Sequence, residues 1–171
     1  LMFSEGGPAI VVDAFDIVVR GPDSDCGVNP PFDCTTLTVG FADGATDGLD
    51  PQLGELEVPP PPPTPQVFDT RFILPDIEGL LRDLRDPNAQ SPEWNMEIRA
   101  GIGGYPITLT WDPQSLPPGS WIMAPTVPGS QGIDVDMTID NTLVITDPAV
   151  TNVVIAAESS PNPVVTYGAG W

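Results

Sequence analysis

Histidine and lysine are both missing from this chain, and the five basic residues are all arginines: Arg20, Arg71, Arg82, Arg85 and Arg99. Without histidine there is no Ser-His-Asp triad, no Cys-His pair and no histidine metal site. Without lysine there is no Schiff base, no P-loop and no isopeptide cross-link. Acids outnumber bases 24 to 5, a net charge of −19, so nucleic acid and anionic membrane are disfavoured partners, because phosphate binding needs clustered cations. Long apolar runs are lacking too. The longest are strand-sized, which excludes the apolar N-terminal helix of a type IV pilin and gives no reason to expect membrane insertion. No Asn-x-Ser/Thr sequon occurs. The chemistry left is that of carboxylates, hydroxyls and arginine, and the chain is expected not to be an enzyme. Paired carboxylates serve glycoside hydrolysis, but so acidic a chain holds many such pairs by composition alone.

Cysteine is scarce as well: Cys26 and Cys34 stand in DCGVNPPFDC with Asn29-Pro30-Pro31 between them. A disulfide closing a short turn between strands is the expected arrangement, and it implies an oxidising compartment outside the cell. The alternatives are two buried thiols or part of a soft-metal site. The chain opens at Leu1-Met2-Phe3 and reads as a processed chain or a piece of one.

What is present is a series of short segments alternating with period two and punctuated by Pro, Gly and Asp. Strands are expected over 9–20, 35–41, 67–74, 93–100, 105–111, 120–124, 132–139, 142–146, 151–157 and 163–167. Trp94, Met96 and Ile98 share one face, as do Ile107, Leu109 and Trp111. Ile133, Val135, Met137 and Ile139 form a third row, with Asp134, Asp136 and Thr138 facing water. This pattern predicts an all-β fold, an immunoglobulin-like antiparallel β-sandwich. One helical insert is expected in LPDIEGLLRDLRDP. Asp76 serves as N-cap, Ile77, Leu80, Leu81 and Leu84 form a stripe, Glu78 and Arg82 an i,i+4 pair, and Pro87 the stop.

Residues 43–72, DGATDGLDPQLGELEVPPPPPTPQVFDTRF, are the most informative stretch. An acidic, glycine-rich loop runs into a polyproline bridge and then into a strand. Polyproline donates no hydrogen bonds, so it is no central strand. As polyproline II, seven residues span roughly 20 Å, enough to cross from one sheet to the other. Use as a ligand for SH3-like readers is the lesser alternative, since those readers are mainly intracellular. In the loop, Asp43, Asp47 and Asp50, with Glu55, could offer oxygens to Ca²⁺, which takes about six to eight hard ligands. The spacing is not that of an EF-hand. The competing reading is an Asx-turn with solvated acids and glycines at positive φ. Asp23, Asp25 and Asp33 are a second, weaker calcium set. Arg71 is expected to pair with Asp69 or Glu97. Trp94 and Trp111 read as core, whereas Trp121 and Trp171 read as the surface tryptophans of a possible sugar platform for cell-surface glycans.

The order LTVGFADGATDGLDPQLGELEVPPPPPTPQVFDTRF (37–72), LLRDLR (80–85), WNMEIRAGIGGYPITLTWD (94–112) and VDMTIDNTLVIT (135–146) resembles a β-sandwich module of large surface proteins of Bacteroidota and relatives exported by type IX secretion. The resemblance covers roughly 14–157, most specifically in its first third, and implies a fold and a cell-surface location rather than an activity. The segments 1–13 and 158–171 extend past it. The chain therefore divides into an N-terminal arm (1–13), a sandwich domain (14–157) and a C-terminal extension (158–171). The arm carries the apolar residues Ile10, Val11 and Val12 after flexible Gly6-Gly7. Such an arm can add a strand to the open sheet edge of a neighbour, and a heterologous contact of this kind that does not close makes a filament of one chain. The plain alternative is an ordinary first strand of its own domain. The expected function is that of an extracellular structural protein, a homopolymer subunit of a surface filament or layer. An adhesin or carbohydrate-binding module is the alternative.

Overall fold

The computed structural model describes residues 11–22, 24, 26, 33–126 and 134–159. Among these residues ten strands form: β1 (Val12–Arg20), β2 (Cys34–Ala42), β3 (Asp69–Phe72), β4 (Arg82–Arg85), β5 (Glu93–Arg99), β6 (Ile107–Thr110), β7 (Gly119–Thr126), β8 (Val135–Asp136), β9 (Thr142–Ile145) and β10 (Asn152–Ser159). They build two five-stranded sheets, ordered β4-β2-β1-β6-β9 and β3-β5-β10-β7-β8. The all-β sandwich expected from the alternating pattern is the observed fold. All pairings are antiparallel except β2 with β4. The segment 163–167 lies outside the described residues.

Alternation places one side of each sheet inward. Phe15, Ile17 and Val19 of β1 and Leu37, Val39 and Phe41 of β2 meet Trp94, Met96 and Ile98 of β5 and Trp121 and Met123 of β7 in a single core. At its centre Phe15 packs edge-on against Trp121, 5.1 Å between ring centroids, and Trp121 stacks on Trp94 at 5.5 Å. The tryptophans are the inter-sheet filler, and each indole N–H must find a carbonyl to be buried without loss. Trp94 donates to Asp83 O, Trp111 to Met137 O and Trp121 to Pro117 O, at 2.9, 3.0 and 2.9 Å.

The polyproline bridge leaves β2 in one sheet and arrives at β3 in the other, a crossover as expected. A polyproline II helix has no internal hydrogen bonds and three residues per turn. Its Pro59 and Pro62 carbonyls, one turn apart, are taken by Arg71 Nη1 at 2.6 Å and Arg99 Nη1 at 3.3 Å. Arg71 is held in turn by both oxygens of Asp69, at 2.8 and 2.7 Å, the first of its two expected partners.

The helical insert does not form. Asp76 adopts φ +68° and Gly79 φ +143°, neither of which continues a helix. Leu80 exchanges backbone bonds with Phe72, and Arg82–Arg85 pair parallel with Thr38–Phe41 as β4. The 77-80-81-84 stripe is therefore no helical face: Leu80 and Leu84 are buried, while Leu81 is exposed. Glu78 and Arg82 do not pair. The Glu78 N–H donates to Glu57, and Arg82 Nε donates to Leu53 O. The apolar period misled because β4 is covered on both sides, and a strand covered on both sides loses its alternation. The expected strand over 132–139 also shortens, to β8. Asp136 accepts from Thr138 N at 3.0 Å and turns the chain there, so Met137 is buried and Ile139 exposed. Ile133 lies outside the described residues.

Gly40 of β2 lies against β1 so closely that an added Cβ meets Asp13 O at 2.3 Å and Ala14 Cα at 2.5 Å. Both are backbone atoms that cannot step aside. Gly40→Ala is expected to destabilise the fold by about 1–3 kcal/mol or more, as overpacking does, and urea unfolding measures it.

Candidate functional site

The acidic loop after β2 folds down over β4, with its own small apolar patch: Ala45 and Leu53 pack on Ala42 and Leu84. Its carboxylates mostly turn inward to satisfy backbone. Glu55 is fully buried and bridges two N–H groups, Oε1 accepting from Asp50 N and Oε2 from Leu84 N, both at 2.7 Å. Asp50, also buried, accepts from the N–H and hydroxyl of Thr46, both at 2.9 Å. Asp83 of β4 is buried and held by Arg85 Nε and Nη2 at 3.2 and 3.0 Å. The Arg85 guanidinium lies 5.3 Å from the centre of a Trp94 ring. The Leu84 N–H points away from β2, at the outer edge of its sheet, and Glu55 occupies the place a further strand would take. The loop is thus an edge cover, one of the devices that keep a sheet from pairing with a stranger.

Of the expected calcium ligands, Asp50 and Glu55 are spent on backbone. Asp43 is exposed at the end of β2, and Asp47 is 87% exposed, 3.9 Å from Arg85. The four are not brought together, and among the described residues no three acidic, cysteine or histidine side chains are placed to hold an ion. In the second set, Asp33 is half-buried and its carbonyl accepts from Gly21 N at 2.8 Å, while Asp23 and Asp25 lie outside the described residues. The Cys26–Cys34 disulfide is present, with Cα atoms 5.1 Å apart. Trp121 is no surface platform but the fully buried centre of the core, because β7 turns that position inward. Trp171 and Ile10 lie outside the described residues. Val11 and Val12 are exposed at the start of β1, where Val11 O accepts from Asp43 N and Val12 pairs with Ala42. Asp83, Arg85 and Thr46 were not singled out by sequence. Arg-Asp-Leu-Arg of β4 carries no period-two signal, and the helical stripe competed with it.

The remaining edges are managed differently. β3 is flanked by Leu80, which also bridges to Glu57, and β8 is only two residues long. β9, by contrast, pairs with β6 alone, and its outer flank has no backbone partner among the described residues. The first half of β1 is also bare on one flank among the described residues, since β6 accompanies it only along Val18–Arg20. Among the described residues no helix is long and apolar enough to cross a membrane. No known protein family, curated protein or solved structure matches the chain.

Burial pushes the Glu55 carboxyl up to about 7, against the pull of its two backbone bonds and with help from the charges of Asp83 and Asp50. Burial likewise raises Asp83, opposed by Arg85. A carboxyl raised in the folded state holds its proton where the unfolded chain has released it. Stability therefore falls as pH rises from about 4.5 to about 7, then levels. The contribution of Glu55 is on the order of 3 kcal/mol at about 1.4 kcal/mol per unit. The urea midpoint is expected to rise between pH 8 and pH 5, and Glu55→Gln, which does not ionise, to flatten much of that slope. Trp121→Ala is expected to cost roughly 3–5 kcal/mol, as truncation of a buried aromatic does; a surface platform residue would cost almost nothing in the same melt.

Proposed function

We propose that this chain is a non-catalytic extracellular structural protein, a subunit that joins its copies into a surface filament or layer by β-strand addition. The observation that carries the reading is the unequal treatment of sheet edges. The edge at β4 is sealed by the Glu55 loop, while among the described residues β9 and half of β1 keep bare flanks. A chain that seals one edge with a buried carboxylate and leaves others open has open edges to use. The disulfide supports a setting outside the cell, and the lack of histidine and lysine supports a role without catalysis. Calcium in this reading sits between copies, where acids of two chains meet and the charge of −19 needs screening.

Negative-stain electron microscopy of the native chain, in calcium and after EDTA, tests this. Regular filaments or sheets are expected, and their loss in EDTA places the metal at the contacts. Small monodisperse particles in both conditions would sink the proposal.

A further inference from the structure

β1 is zipped to β2 along its whole length, from Val12 opposite Ala42 to Arg20 opposite Cys34. On its other flank the partner gives out. Past Trp111 the chain leaves the sheet, because Asp112 accepts from Gln114 N at 2.9 Å and closes a 3-10 turn over Pro113–Ser115. Backbone groups along a strand face its two flanks alternately. Val11 O accepts from Asp43 N, so Val11, Asp13 and Phe15 turn theirs to β2, and Val12, Ala14 and Asp16 turn theirs to the vacant flank. None of these three has a backbone partner there among the described residues.

At the same end of β1 a groove of about 860 Å³ opens, walled on one side by the segment Pro87–Ser91 between β4 and β5 and on the other by Pro117 and Pro118, with Val11 and Phe41 as apolar floor and the acids Asp13, Asp43 and Glu158 beside them. A bare ladder next to an apolar groove is what an added strand needs: main-chain bonds for affinity and a pocket for its alternate side chains.

We propose that this slot accepts residues 163–167, Pro163-Val164-Val165-Thr166-Tyr167, of a second copy. The inference rests on the strand-addition reading and names its acceptor and its donor. Three features favour this segment. Residues 159–171 carry no charged side chain, so they enter an acid-lined groove without like-charge repulsion, whereas residues 1–10 carry Glu5 and run directly into β1. Val164, Val165, Thr166 and Tyr167 are strand formers, and Pro163 stands at the first position, where a strand tolerates proline. β10 ends at Ser159, and Glu158 lines the groove, so the segment departs from the end of the molecule where the slot opens.

The full-length chain tests this through cysteine pairing, since directly opposite residues of paired strands sit within disulfide reach. Val12 is 44% exposed and tolerates replacement. Copies with Val12→Cys are mixed with copies carrying Val164→Cys or Val165→Cys, then oxidised. One of the two mixtures is expected to give a disulfide-linked dimer on non-reducing electrophoresis, at a yield roughly a hundredfold above either variant alone, because docking raises the effective thiol concentration. Val165→Pro is expected to abolish polymers while leaving the melting curve unchanged. Polymers that persist in Val165→Pro, without cross-linked dimers, would overturn this slot and leave strand addition standing through another edge. An intrachain bond in the double variant, giving only monomer, would put the segment in its own copy's slot and overturn the proposal. No polymer from the native chain would remove the strand-addition reading and this inference together.

Discussion

Three buried indole N–H groups set the terms for this fold. A tryptophan fills inter-sheet space better than any other side chain, but its N–H cannot be left dry and unpaired. Each of the three therefore fixes a piece of backbone elsewhere: Trp94 fixes β4 through Asp83, Trp111 fixes the turn at Met137, and Trp121 fixes the approach to β7 through Pro117. The Trp94 bond is the most consequential. It crosses from one sheet to the other and draws to the core a strand that pairs in parallel with its neighbour. Once β4 is there, its outer edge has to be covered, and the acidic loop with Glu55 covers it.

This chain of dependence explains why an acid-rich loop is not a metal loop. Buried polar groups must be satisfied, and a tight loop over a sheet edge leaves many N–H groups without carbonyls. Asp50 and Glu55 supply the acceptors, at the cost of carrying carboxylates out of water. Asp43 and Asp47 remain outside. The sequence composition of a turn that satisfies itself and of one that holds calcium is nearly the same, and what separates them is the direction of the side chains.

That direction is also where reading by residue type stopped. The sandwich, the crossover, the disulfide, the Arg71–Asp69 pair and eight of the strands were legible, because period-two alternation, proline chemistry and short-range pairing are local signals. β4 was not, since a strand covered on both faces has no period, and Leu80, Leu81 and Leu84 fall as well on a helical stripe. Trp121 was misplaced outward because its neighbours Ser120 and Ile122 give no clear polarity to the strand. The open flank of β1 was also beyond reach: it comes from the early exit of β6, which only the completed sheet reveals.

The parallel pairing of β2 with β4 bears on how the chain reaches its native state. Antiparallel neighbours such as β1 and β2 are joined by a short reach of chain and can zip at once, but β4 meets β2 only after the loop, the polyproline bridge and β3 have been laid down. Contacts between distant parts of a sequence are slow to form, because the entropy of closing the long loop is lost before the contact returns anything. By the same argument β4 joins β2 later than β1 does, and the pairing of β1 with β6, across a longer stretch of chain, comes later still.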